Sequence, residues 1–492
     1  MTKEKNKIIL VIILILISLI TLVGSSYALL TKSFKSKKLS MEVGTLKIDF
    51  AEGNAINMAN AAPMTDSNGL KSTPYTFTIT NGGDINAYYT VSNEEELANT
   101  LDTSYLRMKL TGSDGYDSGI KTVKELGTET YKLIDDTLLE TGKSVTYELR
   151  MWISQDAGND IQDKIYKSKI VVNGTSNKLP LATDKILAKA NPENLDYNSA
   201  TDAQKKEMWT FTHEATEQTT ALTDYRYIGA DPNNYVKFND ELWRIIGVFD
   251  TDDGTGKVEK RLKIIRNESI GNYTWNYNAS GKYINEWSIA QLNNLLNSGA
   301  YYNRTTGTYY NYNGNSTTAS NEDFTTTGLT EKARAMIGNA KWYLGGTANY
   351  TSSSNGLASH FYKYERGTGV YSERSTSWTG KVGLMYLSDY GYATSGGATT
   401  NRASCLAKEL TKWDDSSVSD CKDNDWMYNS SKSQWTITSQ FNTNGVFYVD
   451  NTGYVSSNIV YGDCGVRPVV HLNSAIKVIT GSGTKESPYI LE

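Results

Sequence analysis

The sequence predicts a mainly β protein: an N-terminal β-sandwich, a C-terminal α+β domain and a hydrophobic signal or anchor helix in front of both. Three observations predict this. Tyr (34) and Gly (40) are abundant beside many Asn, Ser and Thr residues, a mixture that favours strands joined by turns. Apolar and polar residues alternate in many short runs, as in half-buried strands. Finally, 492 residues with 39% hydrophobic and 21% charged content are enough for two or three domains with their own cores. The formal charge of −5 comes from intermixed acids and bases, so no basic stripe offers itself to phosphates and no nucleic-acid partner is expected.

The first element is a targeting segment. Lys3, Lys5 and Lys7 precede the apolar run Ile8 to Val23, and "GSSYALL" follows. This is the order of a signal peptide, with Ser26 and Ala28 at the small-x-small positions and cleavage expected after Ala28. The alternative is an uncleaved anchor, since extension through Leu30 gives about 23 residues, enough to span a bilayer. Both readings leave the lysines inside and the rest of the chain outside the cell. Membrane contact is expected only through this segment.

Residues 29–178 are expected to form the sandwich. "MEVGTLKIDF", "TPYTFTITNGG", "AYYTVSN", "SVTYELRMWIS" and "YKSKIVVNG" alternate apolar and polar residues between Gly, Asn and Asp turns, which suits two sheets closing on one core in a jelly-roll-like arrangement. The order of hydrophobic signal, "YALLTKS", "VGTLKIDF" and "FTITNGGDINAYYTV" resembles the TasA and camelysin group of secreted Gram-positive proteins. That resemblance implies export through a dedicated signal peptidase and self-assembly into matrix fibres by donation of an N-terminal strand. Lys32 to Lys38, "KSFKSKK", is the candidate donated segment, and a solvated linker is its alternative.

Residues 179–222 read as a linker rich in Pro, Asn, Thr and Lys, with one short helical pattern ended by Asn191-Pro192. The second domain is expected over 223–492. "NNYVKFNDELWRIIGVF" carries two alternating runs about Asn239-Asp240, which suits a tight hairpin. "INEWSIAQLNNLLNSG" places Trp287, Leu292, Leu295 and Leu296 on one helical face before Gly299. "LTEKARAMIGNA" places Ala333, Met336, Ile337 and Ala340 on another, with Thr330 as cap. In the closing "GVRPVVHL", flanking valines predict a core strand, Arg467 is expected to pair with a carboxylate or carbonyls, and Pro468 marks a strand edge or bulge. The blocks "YRYIGADPNNYVKFNDELWRIIGVF", "VGLMYLSDYGYAT", "CKDNDWMYNSSKSQWTIT" and "GVRPVVHLNSAIKV" are similar to a domain of uncharacterised function in surface proteins of Bacilli and Clostridia. The last block also resembles the C-type-lectin-like fold, which implies two helices and a loop-rich face.

Chemistry is sparse. His213, His360 and His471 form no metal-spaced pair, and no nucleophile elbow, phosphate loop or CxxC motif occurs. No metal, cofactor or catalytic residue is expected. Cys405 and Cys421, sixteen apart in an extracellular chain, are expected to form a disulfide; Cys464 is then left buried, or pairs in place of one of them. The acidic stretches "FDTDDGTGK" and "CKDNDW" suit either calcium or ordinary turns. Two long stretches, Ser298 to Phe324 and Gly345 to Ser375, mix Tyr with small polar residues, as adaptable recognition surfaces do. Tyr301, Tyr302, Tyr309, Tyr310 and Tyr312 are the expected contacts to a glycan or surface-protein ligand, and mobile decoration is the alternative. The expected function is non-enzymatic recognition at the cell surface. A structural matrix subunit is the alternative, and deleting Ser298 to Phe324 would abolish capture in the first case only. An unrecognised enzyme is third and would need carboxylates that no spacing identifies.

Overall fold

A computed structural model describes residues 46–52, 62–95, 99–126, 130–277, 284–312, 317–371, 373–441 and 444–492. The signal or anchor segment, Ala28 and the Lys32 to Lys38 stretch lie outside the described residues. Strand outweighs helix by 38% to 18% over several sheets, so the protein is mainly β. Among the described residues no helix is long and apolar enough to cross a membrane.

The first eight strands are β1 (Ile48–Glu52), β2 (Tyr75–Asn81), β3 (Ala87–Glu95), β4 (Leu106–Gly112), β5 (Lys121–Thr122), β6 (Thr130–Leu139), β7 (Ser144–Ile153) and β8 (Ser168–Thr175). They form a five-stranded sheet, β1-β2-β7-β4-β5, and a three-stranded sheet, β6-β3-β8. All pairs are antiparallel. Period-two alternation sends Phe77 and Ile79 of β2, Tyr147 and Leu149 of β7, and Tyr89 and Val91 of β3 into one shared core. Burying each large side chain contributes about 1.5–3 kcal/mol. The hydroxyls of Tyr89 and Tyr147 meet across the sheets at 2.6 Å. Asn81, fully buried, explains the "TNGG" turn: its amide donates to the carbonyls of Ile85 and Leu139, both at 2.9 Å, and its oxygen accepts from the Gly83 N–H.

The remaining strands begin with β9 (Trp209–His213), β10 (Leu222–Arg226), β11 (Tyr235–Phe238), β12 (Glu241–Asp252), β13 (Val258–Arg266) and β14 (Asn272–Thr274). Next come β15 (Thr306–Tyr312), β16 (Thr317–Asp323), β17 (Ala340–Tyr343), β18 (Ser377–Gly380) and β19 (Val382–Gly383). The last are β20 (Gln434–Ser439), β21 (Gly445–Val449), β22 (Val455–Ile459), β23 (Asp463–Gly465), β24 (Val469–His471), β25 (Val478–Thr480) and β26 (Tyr489–Leu491). The main sheet runs β19-β24-β13-β12-β11-β26-β25, with β10 on β12 and β9 on β10. A second sheet runs β14-β23-β20-β21-β22, and β15-β16 and β17-β18 are separate two-stranded pairs. Asn239 and Asp240 link β11 to β12 with φ of 56° and 60°, the two left-handed residues of a type I′ turn. Trp243, Trp275, Trp287, Trp342, Trp413 and Trp435 are at most 1% exposed within a single core.

That core begins before residue 223. Ala182 and Ile186, on the helix Ala182–Leu187, and Met208 are buried in it. The Ala182 N–H donates to the Ile476 carbonyl at 2.7 Å, and β9 pairs along its whole length with β10. The expected linker 179–222 is therefore largely part of the C-terminal domain. Its apolar residues are too widely spaced among polar ones to show a period, and they are anchored by partners almost 300 positions away.

Charge also lies inside this domain. Arg226 Nη2 donates to Asp224 Oδ2 at 2.8 Å and Nη1 donates to Asp389 Oδ1 at 2.9 Å, while Lys263 Nζ donates to Asp389 Oδ2; all four side chains are at most 3% exposed. His213 Nε2 stands 3.1 Å from Asp224 Oδ2, and His471 Nδ1 stands 3.2 Å from the Thr251 hydroxyl. Burial holds both histidines below their usual range, His471 furthest, with the Lys263 charge adding to the effect. A histidine kept neutral in the fold stabilises above its unfolded pKa, about 6.5, and that contribution is lost as the pH falls, because the unfolded chain then takes up the proton. Burial raises the buried carboxyls Glu365 and Asp425, which act in the opposite direction, so the comparison must isolate the histidine. Between pH 7 and pH 5 the wild type is expected to lose about 2 kcal/mol more stability than His471→Gln, as read from urea midpoints.

Candidate ligand-recognition site

The structure separates the five predicted tyrosines. Residues 306–323 are a strand pair, so alternate side chains face in and out. Tyr301 is fully buried, and Tyr309, 2% exposed, donates its hydroxyl to the Thr274 carbonyl at 2.6 Å and packs edge-on to Tyr273. Neither ring presents a face to a ligand. Tyr302 is half-buried beneath the Arg334 guanidinium, Tyr310 is 45% exposed beside Tyr277, and the Tyr312 side chain lies outside the described residues. Because Tyr301, Tyr309 and Phe324 belong to the core, deleting residues 298–324 would remove core side chains and would not test a free loop.

Arg467 is buried and pairs with carbonyl oxygens only: Nε donates to the Arg266 carbonyl at 2.8 Å and Nη1 donates to Gln434 Oε1 at 3.0 Å. Burial lowers its pKa to about 10. The Pro468 carbonyl accepts from the Arg266 N–H at the edge of β24. Asp252 and Asp253 close their turn by accepting N–H groups of Gly254, Gly256 and Thr255. Among the described residues no three metal-ligating side chains cluster. The structure joins Cys405 to Cys421, with Cα atoms 5.4 Å apart, and leaves Cys464 buried, its thiol pushed up to about 12 by that burial. Iodoacetamide is therefore expected to label no cysteine in the native protein and one after unfolding without reductant, as read by intact mass.

The second long stretch does reach a pocket. Val370, Tyr371, Arg374 and Ser375 meet Asn285, Glu286 and Trp287 there, over Ile437 of β20. Trp287 sits on the turn that precedes the helix Gln291–Asn297, wedged between Trp275 at 5.3 Å and Trp378 at 6.2 Å. It is 1% exposed, and its indole Nε1–H has no hydrogen-bond partner among the described residues. Arg374 lies 4.5 Å over the Tyr371 ring, with a buried Nη1 that also lacks a partner among the described residues. Burial lowers the Arg374 pKa against the attraction of Glu286. The walls are fixed by hydrogen bonds. Glu286 Oε2 accepts from the Ser375 N–H at 3.0 Å and Oε1 accepts from the Ser288 hydroxyl at 2.7 Å; Asn285 donates to the carbonyls of Gln440 and Gly445.

Two buried donors without acceptors, beside a Tyr ring that is 36% exposed, suit a ligand with oxygen acceptors on a compact body. Leaving such a donor unmade costs about 1–3 kcal/mol, more for a charged group, and a ligand oxygen recovers it. Tyr371 supplies a stacking face. Sequence reasoning placed Trp287 on a core face but did not single out Arg374, which is one of several charges in a polar stretch. The aromatic at Tyr371 three residues before it is the only local signal.

No family model matches the chain, and no curated protein matches it. One solved structure, titled "AvmM Catalyzes Macrocyclization in Alchivemycin A Biosynthesis", aligns at 9% identity over 27% of this chain and 89% of that one, with a TM-score of 0.15. A likeness at that level carries no argument about fold or activity.

Proposed function

We propose that the chain is a non-enzymatic recognition protein on the outer side of a Gram-positive cell envelope, and that its C-terminal domain captures a surface sugar one oxygen-bearing tip of which enters the Trp287–Arg374 pocket, whose enclosed space admits about one water-sized group. The observation that carries this reading is the pair of buried, unpartnered donors beside the exposed face of Tyr371. An acidic sugar fits best, because a guanidinium binds a carboxylate with geometric specificity while hydroxyls meet the indole N–H. Export rests on the signal or anchor pattern of residues 1–28. Helices among the strands, Gln291–Asn297, Glu331–Met336, Ala358–Glu365 and Leu387–Ala393 among them and so more than the two the resemblance implies, favour an α+β domain of C-type-lectin-like kind, and the two facing antiparallel sheets of residues 48–175 favour a jelly-roll-like sandwich.

The test is an array of neutral and uronic-acid-bearing oligosaccharides probed with the full chain. Saturable retention on acidic members is expected, and retention on none would overturn the reading. Tyr310→Ala, which changes an exposed ring outside the pocket, is expected to leave retention within twofold of wild type.

A second reading, a matrix subunit, is favoured by the position of β1 at the edge of its sheet, where its outer side pairs with no strand among the described residues. Polymers in sedimentation velocity of the exported protein would support it, and a monomer across the concentration range would count against it.

A further inference from the structure

A second cleft in the C-terminal domain shares no lining residue with the Trp287 pocket. Its floor holds two buried cations, Lys263 at 2% and Arg366 at 6% exposure, and Lys341 stands at its wall. The balance of donors and acceptors there is uneven. Lys263 has three N–H groups, and among the described residues Asp389 is its one hydrogen-bonded acceptor; the rings of Tyr386 at 4.4 Å, Phe249 at 5.4 Å and Trp342 at 5.7 Å lie near its ammonium, and His471 stands across from it on β24. Arg366 lies 3.6 Å over the Tyr362 ring. Its Nη1 reaches the Tyr362 carbonyl at 3.4 Å and Glu365 Oε2 at 3.7 Å, and its buried Nε has no partner.

The carboxylates around the cleft are already engaged. Asp224 is held by Arg226 and His213, and Asp389 by Arg226, Lys263 and the Tyr386 N–H. Glu365 accepts from the Ser388 N–H, the Ser388 hydroxyl and the Thr438 hydroxyl. At the mouth, Asp250 pairs with Lys260 at 2.9 Å, and Asp252 accepts the N–H groups of Gly254 and Gly256. Every nearby acid has its donors, whereas the two buried cations have donors to spare. A ligand that enters must bring acceptors.

We propose that this cleft is a second binding site, distinct from the recognition pocket, that takes a small oxyanion between Lys263 and Arg366, with Lys341 closing over it. The oxyanion is the carboxylate, phosphate or sulfate group of a larger surface molecule or a free ion, and the chemistry is shared: tetrahedral or planar oxygens accepting charge-assisted hydrogen bonds. Aromatic walls from Tyr343 and Tyr386 limit the bound group to a small size.

The experiment uses the full chain and titrates sodium phosphate, sulfate and acetate by calorimetry, with chloride holding ionic strength constant. At least one oxyanion is expected to give a one-site isotherm that chloride does not reproduce, and a saturable rise in Tm. Acetate alone, with an isotherm kept in Arg374→Ala, identifies a carboxylate site in this cleft, and phosphate or sulfate a tetrahedral one. Arg366→Gln is expected to abolish the isotherm, and Lys341→Ala, at a half-buried wall position that tolerates truncation, to weaken it at least fivefold. Arg374→Ala is expected to leave it unchanged, which separates this site from the recognition pocket. No isotherm with any of the three anions, or one unaltered by Lys341→Ala, would overturn the proposal.

Discussion

Asp389→Asn is expected to destabilise the C-terminal domain by about 3–5 kcal/mol, the largest effect of any single substitution considered for this chain. The Asp389 carboxylate joins two buried cations, Arg226 through Oδ1 and Lys263 through Oδ2. Asparagine keeps the shape and removes the charge. Arg226 retains Asp224 at 2.8 Å, but Lys263 then has no carboxylate partner, and an uncompensated buried ammonium is what makes breaking such a pair costly. The loss is a sizeable share of the roughly 5–15 kcal/mol that holds a typical domain together. Replacing the stranded cation as well, in Asp389→Asn with Lys263→Met, is expected to recover part of the loss, because a methionine fits among the rings of Phe249, Trp342 and Tyr386. Urea midpoints of the three proteins check both statements. A single variant within 1 kcal/mol of wild type would show that the network holds charge without needing it, an outcome at odds with the cost of leaving a buried ammonium uncompensated.

Arg374→Ala is expected to weaken ligand capture at least thirtyfold, and Tyr371→Ala about tenfold, with the stability of both within 1 kcal/mol of wild type. Truncating one buried, charged hydrogen-bonding partner in an interface typically costs 2–5 kcal/mol, which converts to thirtyfold or more. Arg374 packs on Tyr371, and the buried Glu286 carboxylate beside it keeps the Ser375 N–H and the Ser288 hydroxyl as donors when the guanidinium is removed. Tyr371 contributes a ring face in place of a charge, and aromatic contacts carry about 0.5–1.5 kcal/mol beyond area. Calorimetric titration with the acidic oligosaccharide retained on the array, at constant pH and salt, reads both ratios.

Local rules made much of the fold legible. Strand alternation, the Asn239-Asp240 turn and the Thr330 cap, whose hydroxyl accepts from the Ala333 N–H at 3.1 Å, each depend on residues within a few positions of one another. The core side of Trp287, Leu292, Leu295 and Leu296 was legible for the same reason. What escaped is non-local. Ala182, Ile186 and Met208 look like linker residues until Ile476 and the main sheet are beside them. Gly, Asn and Thr dilute the alternation of the tyrosine-rich stretch, yet Tyr309 points inward and Tyr310 outward as in any strand. The ion network joins Asp224, Arg226, Lys263 and Asp389 from three separate elements, and no spacing in the chain announces such a set. The pocket is similar: Trp287 and Arg374 are 87 positions apart and meet only through the turn before one helix and the loop before β18.

The most direct test of recognition at this pocket is the indole N–H spectrum of the full chain labelled with 15N-tryptophan, with the Trp287 signal assigned by Trp287→Phe. With saturating acidic oligosaccharide, the Trp287 indole signal is expected to move downfield as Nε1–H gains an acceptor, while that of Trp413, buried elsewhere in the core, stays in place. Bound ligand with an unmoved Trp287 signal would contradict the assignment of the site.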